Sequence, residues 1–275
     1  MSDTKQYTDV PVEPAAPRSR SPWRWVGYAA IALLVLVAIG YGLIFLYAKV
    51  INDSPDEFTA ADLDAALSAE DGGDTATSVA GSVPATVATG QPPVPSAPPG
   101  ATARSQWVAT GSSQVGYRVQ EVLFGVDTTA VGRTDEVEGT LASDGTQVTA
   151  VDFSVDVASI TSDESRRDSQ FRGRVMSADE FPTATFTLTQ PIELGVTPAD
   201  GAQATTQATG ELTLRGVTNP VTFEVTAKQE NGLIGVQGGI PVVFNDYGIA
   251  NPSNGGVQTE DHGLVEFVLV FEPAG

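Results

Sequence analysis

The chain has 275 residues, 41% of them hydrophobic, with 34 acidic against 14 basic side chains and no cysteine. Without cysteine there are no disulfides, thiolate metal sites or cysteine nucleophiles, so stability must come from a core of reasonable size. From Ile51 onward nine basic residues face 31 acidic ones, a net charge of −22 that argues against nucleic acid as a partner, because such binding needs clustered Lys and Arg.

The first predicted element is a membrane helix. Val26–Ala48 carries no charged residue and is built mainly from Ala, Val, Leu and Ile. A helix of that length runs roughly 35 Å, enough to cross a hydrocarbon layer of about 30 Å. Trp23, Trp25 and Tyr28 lie at one end, and Tyr41, Phe45 and Tyr47 toward the other, in the manner of interfacial aromatic belts. Arg18, Arg20 and Arg24 precede the segment, whereas Asp53, Asp56 and Glu57 follow it. The positive-inside rule then puts residues 1–25 in the cytoplasm as a short tail and the rest of the chain outside. The apolar run exceeds the 7–15 residues typical of a signal-peptide core, which favours an uncleaved single-pass anchor over a cleaved leader. Eleven arginines against three lysines fit a GC-rich bacterial genome, hence a bacterial cell envelope.

Residues 49–104 read as an extracytoplasmic linker, acidic at first and then rich in Pro, Ala and Gly. Two readings of Ser54–Ser68 stand: a short acidic helix with Phe58, Leu63 and Leu67 on one face, or a solvated stalk. Asp71–Gly100 is mostly Gly, Ala, Thr, Ser, Val and Pro, a composition too poor in large apolar groups to offset its ordering entropy. As flexible coil, Ile51–Arg104 would span about 40 Å root-mean-square.

Residues 105–275 form the outer domain, where alternation of apolar and polar residues predicts eight strands: Gln114–Val119, Glu136–Leu141, Val148–Val157, Ala184–Thr189, Thr209–Leu214, Val221–Lys228, Val236–Val243 and Gly263–Glu272. Successive short strands with turns between them indicate an all-β sandwich or barrel. Ser143-Asp144-Gly145 and Glu230-Asn231-Gly232 suit hairpin turns. Gly210–Val225 reads as a hairpin with an Arg-Gly-Val-Thr-Asn-Pro connection, in which Pro220 starts the second strand because it has no N–H for the ladder. One helix interrupts the strands, with Thr161 and Glu164 as a capping box, Gly173 as its terminator and Phe171 facing inward as part of a lid. Arg166, Arg167, Arg172 and Arg174 give this acidic domain its one basic cluster.

Three blocks are more specific: RRDSQFRGRVMSADEFPTATFTL, GELTLRGVTNPVTFEV and FNDYGI. They resemble the recurring blocks of the YceI-like family, with Arg167-Asp168, Phe181-Pro182, Gly210–Val221 and Asp246-Tyr247-Gly248 in the expected order. The resemblance covers Ser105–Glu272. It implies a lipocalin-like eight-stranded antiparallel barrel with a short helix or lid, and an apolar tunnel that binds a polyisoprenoid lipid. The chain departs from the pattern at Ser169-Gln170, where many relatives carry a histidine, and in a shortened Asp179-Glu180-Phe181 run.

On that basis the expected tunnel wall is Tyr117, Phe153, Val155, Phe171, Phe186, Leu212, Leu214, Phe223, Val242, Phe244, Phe267 and Leu269, with Arg167 and Asp168 as contacts for a polar headgroup. From the residues alone each apolar position reads first as ordinary core, and only the resemblance makes it tunnel wall; Arg167-Asp168 reads equally as a helix-face ion pair. Arg215 reads as a solvated turn residue. His262, the only histidine, sits in a turn beside Asp261, and no histidine cluster or phosphate loop appears, so neither catalysis, metal nor cofactor is expected. The expected role is a membrane-tethered binding protein that holds or ferries a quinone or polyprenyl carrier. Its rival is a scaffolding module with a solidly packed barrel. The sequence does not set the oligomeric state.

Overall fold

The computed structural model describes residues 22–46, 54–71, 105–194 and 201–274. The chain divides into two compact units, Met1–Leu46 and Tyr47–Gly275. In the first, α1 (Pro22–Leu46) contains Trp25–Leu46, a stretch long and apolar enough to cross a membrane by length and composition. The expected cytoplasmic tail up to residue 21, and Tyr47–Ala48 at the end of the predicted span, lie outside the described residues.

The second unit begins with α2 (Ala60–Asp71). Thr59 caps it, and its backbone N–H donates to Asp62 Oδ2 at 2.7 Å, one arm of a capping box. The strands follow: β1 (Ser105–Ala109), β2 (Gln114–Leu123), β3 (Val126–Thr134), β4 (Val137–Ser143), β5 (Gln147–Asp156) and β6 (Thr161–Ser162). After the short helix α3 (Ser165–Gln170) come β7 (Thr183–Leu188), β8 (Ile192–Glu193), β9 (Gln203–Leu214) and β10 (Val217–Glu230). β11 (Leu233–Val243), β12 (Val257–Thr259) and β13 (His262–Pro273) complete the sheet.

Eight of these strands close a barrel of antiparallel neighbours, in the order β1-β4-β5-β7-β9-β10-β11-β13 and back to β1. All eight predicted strands exist, but the one at Gln114–Val119 is not a member of that ring. Long β13 has two partners on one edge: β1 at Phe271–Pro273 and β2 at Leu264–Val268. β1 therefore closes the ring at one end, while β2, β3 and β6 extend the wall at the other. β3, with three threonines among its nine residues and small Ala130 and Gly132 facing inward, gives little alternation signal and is absent from the predicted set.

The Gly210–Val225 hairpin is tighter than its sequence suggests. Only Arg215 and Gly216 turn the chain, at φ of 53° and 74°, and Val217 already pairs with Leu214. Two consecutive positive φ values are the signature of the type I′ turn, whose twist matches the strands. Gly216 also lies under Phe181, whose Cε1 would be 2.6 Å from any added Cβ. Pro220 sits inside β10 and not at its start, opposite Glu211. It is tolerated because β11 joins β10 only from Val225 onward, leaving this part of β10 an edge with no ladder bond to lose.

The helix capping box expected at Thr161 and Glu164 is not formed. Thr161 belongs to β6, and Glu164 itself caps α3 by accepting from the Arg166 N–H at 3.1 Å. Nor does Gly173 end the helix, because the chain continues through a wider π turn over Phe171–Val175.

Residues 54–71, within the stretch read as linker, pack on the outside of the barrel as a strap. Phe58, Leu63 and Leu67 are buried against Val268 and Val270 of β13. Gly235 on β11 makes room for this, since a Cβ there would stand 2.6 Å from Leu63 Cδ1. Beside it Glu266, 1% exposed, receives Arg118 at 2.9 Å and Arg133 at 2.7 Å. Both arginines also donate to the strap, at the carbonyls of Pro55 and Asp56, and the Arg133 guanidinium stacks 3.8 Å from the Phe58 ring centroid. Ion pair and strap thus satisfy one another, as a buried carboxylate requires.

Candidate functional site

The strand period of two sends one set of side chains into the barrel. They do not fill it. Among the described residues the interior holds two cavities of note, of about 270 Å³ and 570 Å³. The larger runs from α3 and the Asn254–Val257 loop inward to Val115, Phe153, Val155 and Leu212. The smaller lies toward the opposite end, between Trp107, Leu141, Val151, Ile192, Ala208 and Val236.

The predicted wall residues divide between these chambers. Tyr117, Val155, Phe171, Leu212, Leu214, Val242 and Phe244 line the larger one, together with Arg167. Phe186, Phe223, Phe267 and Leu269 line the smaller, and Phe153 touches both. Phe171 stacks on Tyr117 with ring centroids 4.6 Å apart, so the segment after α3 covers one side of the larger chamber. Where the resemblance implies one apolar tunnel, the structure has two spaces, and a cluster of phenylalanines lines the smaller one and reaches the larger through Phe153.

Asp168 is the one predicted contact that lines neither chamber. It is buried, and its Oδ1 accepts from the Ser162 N–H at 2.8 Å and from Ser162 Oγ at 2.6 Å. It fixes the turn into α3. Arg167, its neighbour, does reach the larger chamber, while pairing with Asp163 one turn earlier. Burial works against the Arg167 charge, but Asp163, with help from Tyr117 and Glu121, outweighs it and strengthens the guanidinium's hold on its proton.

Glu121 was not legible as a site residue, although its register two positions beyond Val119 on β2 points it inward. It lines the larger chamber and accepts from Thr259 Oγ1 at 3.3 Å. Burial raises its carboxyl pKa, with Arg167 and the Thr259 hydrogen bond opposing the shift. Burial likewise pushes the Tyr117 phenol well up, keeping it neutral. The larger chamber is therefore apolar in most of its lining but carries two arginines, Arg166 and Arg167, two carboxyls, Glu121 and Glu164, and the Tyr117 phenol.

Arg215 is a tie and not a solvated turn residue. It is half-buried, and its guanidinium donates to the Gly248 carbonyl and to Ser177 Oγ, joining three loops. His262 is exposed on the surface between Glu260 and Asp261, at 3.2 and 3.0 Å, remote in character from any chamber wall. Its hydrogen bond to Asp261 raises its pKa.

A closed antiparallel barrel with apolar chambers and a short helix beside the larger mouth defines a lipocalin-like binding barrel. The chain belongs to the family of the YceI-like domain, which it matches over residues 107–271, more than half its length. Among solved structures it is similar to a polyisoprenoid binding domain from Saccharophagus degradans implicated in plant cell wall breakdown. That likeness has 17% identity and a TM-score of 0.51, and covers 62% of this chain and 98% of that one. BcnA of Burkholderia cenocepacia matches at 19% identity and a TM-score of 0.43, over 59% of this chain and 98% of that one. A Campylobacter jejuni YCEI protein matches at 16% and 0.35, over 46% and 74%. At 17% identity the likeness to the Saccharophagus domain establishes the fold alone. No curated protein matches the chain in sequence.

Proposed function

We propose that this protein is a membrane-tethered, extracytoplasmic container for a polyisoprenoid chain, a quinone or a polyprenyl carrier. The observation that carries the reading is the 570 Å³ chamber, apolar in most of its lining. Ligand cavities of roughly 300–1,000 Å³ with few convergent polar groups are the usual form of a small-molecule site. Burial of each isoprene unit contributes at about 25 cal/mol per Å² of apolar surface, so a chain binds without a strong polar anchor. Arg167, Glu121 and Tyr117 are placed to meet a headgroup, the arginine serving an anionic or carbonyl oxygen. The Saccharophagus domain, by its description a polyisoprenoid binder, supports the same ligand class.

The helix Pro22–Leu46 is the proposed anchor, its N-terminus cytoplasmic. Seven residues separate Leu46 from Ser54, where the strap begins. The scaffolding alternative required a solid interior, and the two chambers count against it. Organic extraction of the full chain purified from its host membranes, followed by lipid mass spectrometry, tests the reading. A stoichiometric isoprenoid is expected, and a barrel that is lipid-free and takes up no added isoprenoid contradicts it.

A further inference from the structure

Four phenylalanines on four strands of the barrel meet in the wall of the smaller chamber, and one of them, Phe153, also lines the larger: Phe153 on β5, Phe186 on β7, Phe223 on β10 and Phe267 on β13. Phe153 and Phe186 stack with centroids 5.4 Å apart, and Phe153 and Phe267 are 5.7 Å apart. Phe223 closes the circuit edge-on to Phe186 at 5.4 Å and to Phe267 at 6.0 Å. All four are at most 6% exposed. Aromatic pairs in such offset and edge-to-face arrangements attract beyond their area burial, so the cluster holds together as a unit.

Two glycines seat the rings against the wall. A Cβ on Gly210 of β9 would stand 2.4 Å from Phe186 Cζ, and one on Gly238 of β11 2.8 Å from Phe267 Cζ. Each ring thus lies in a gap that any other residue would fill. The rings are fixed in place by the wall and by one another, across the middle of the barrel.

We propose that these phenylalanines are a length stop: a chain entering at the α3 end is accepted only to the depth of the larger chamber. The inference rests on the container reading above and deepens it by naming what sets ligand length. Along β13 the distance from Gly263 at the mouth to Phe267 is four residues, about 13 Å, whereas Gly263 to Phe271 is about 26 Å at roughly 3.3 Å per residue. A short prenyl chain fits the first distance. A long one must leave its remainder outside the barrel, where it gains no burial.

The test uses the full chain, ejected from detergent micelles in native mass spectrometry after incubation with farnesol or solanesol as short and long probes. Ala204→Phe fills the smaller chamber without removing any core group, since Ala204 lines that chamber. Its expected effect on the occupancy of either prenol is nil. The double variant Phe186→Leu, Phe223→Leu opens the boundary, and the solanesol-to-farnesol occupancy ratio is expected to rise at least about tenfold. That is about 1.4 kcal/mol, the return from roughly 55 Å² of newly buried apolar surface. Adding Ala204→Phe to the double variant should erase the gain. Loss of solanesol from the single variant Ala204→Phe would show that the chain already crosses the boundary, and would overturn the length stop while leaving the container intact. An unchanged ratio in a folded double variant would also overturn it. Should the double variant fail to fold, the Ala204→Phe arm decides alone. Uptake of neither prenol by any protein would overturn the container reading, and the stop with it.

Discussion

β9 and β13 present the same kind of face to the barrel interior and opposite kinds to the outside. On β9 the outward residues Thr205, Thr209 and Thr213 are hydrogen-bonded at 2.8–3.0 Å to Thr226, Thr222 and Thr218 of β10, a ladder of hydroxyls in water. On β13 the outward residues Glu266, Val268 and Val270 are almost wholly buried, because the strap lies over them. Six consecutive residues, Glu266–Phe271, are buried on this strand. The difference shows that the barrel wall has one side finished by solvent and another finished only when a preceding segment of the chain covers it.

Breaking the β13 exterior should therefore cost far more than altering that of β9. The largest effect is expected from Glu266→Ala, which leaves Arg118 and Arg133 facing each other without their carboxylate. A loss of about 3 kcal/mol is expected, measured by urea unfolding of the outer domain signal in the full chain. Leu63→Ala removes the most buried strap residue, 1% exposed, and should cost about 2 kcal/mol. Hydrogen exchange should show the loss concentrated in residues 60–71 and in the facing amides of β11 and β13.

A smaller effect follows from Glu70, at the far end of α2, which accepts from the Ser112 N–H at 3.0 Å. Hydrogen bonds from Thr110 and Ser112 hold its carboxyl below its ordinary value of 4.5. A carboxyl depressed in the folded state binds fewer protons there than when unfolded, so its stabilisation is complete above pH 4.5 and is lost as pH falls through the lowered value. The Tm difference between the native chain and Glu70→Gln should be present at neutral pH and vanish in acid. A difference that persists in acid would remove the carboxylate from the account. Thr209→Val on the β9 exterior should change stability by less than about 0.5 kcal/mol, and a drop as large as that of Leu63→Ala would break the comparison.

How much of this was readable varies along the chain for physical reasons. The β9–β10 hairpin was legible because one face is solvated, so apolar and polar residues alternate strictly. β13 was found as a strand, but its LVEFVLVFE run carries the mark of burial on both faces, a signal that the strand assignment alone did not use. Phe58, Leu63 and Leu67 were spaced for one face, yet twelve residues of weakly amphipathic helix do not announce what they pack on. β3 escaped notice because its inward positions Ala130 and Gly132 are small. Of the site, the strand period gave which residues face inward, and the resemblance named them as a wall; Asp168 came with the Arg-Asp pair of that resemblance and serves the turn into α3. Glu121 was missed because the predicted strand stopped at Val119, two residues short of it, whereas β2 runs on to Leu123. The phenylalanine boundary depends on four strands meeting at one level, and no local pattern encodes that.

The central claim is that the inner face, and not the covered outer one, holds the lipid. Photo-crosslinking of the full chain with a benzophenone-tagged isoprenol, followed by peptide mapping, tests it most directly. Adducts are expected on Tyr117, Leu212, Val242 and Phe244, around the larger chamber. Adducts confined to α1, to the strap or to the β9 exterior, with none on these residues, would contradict the account.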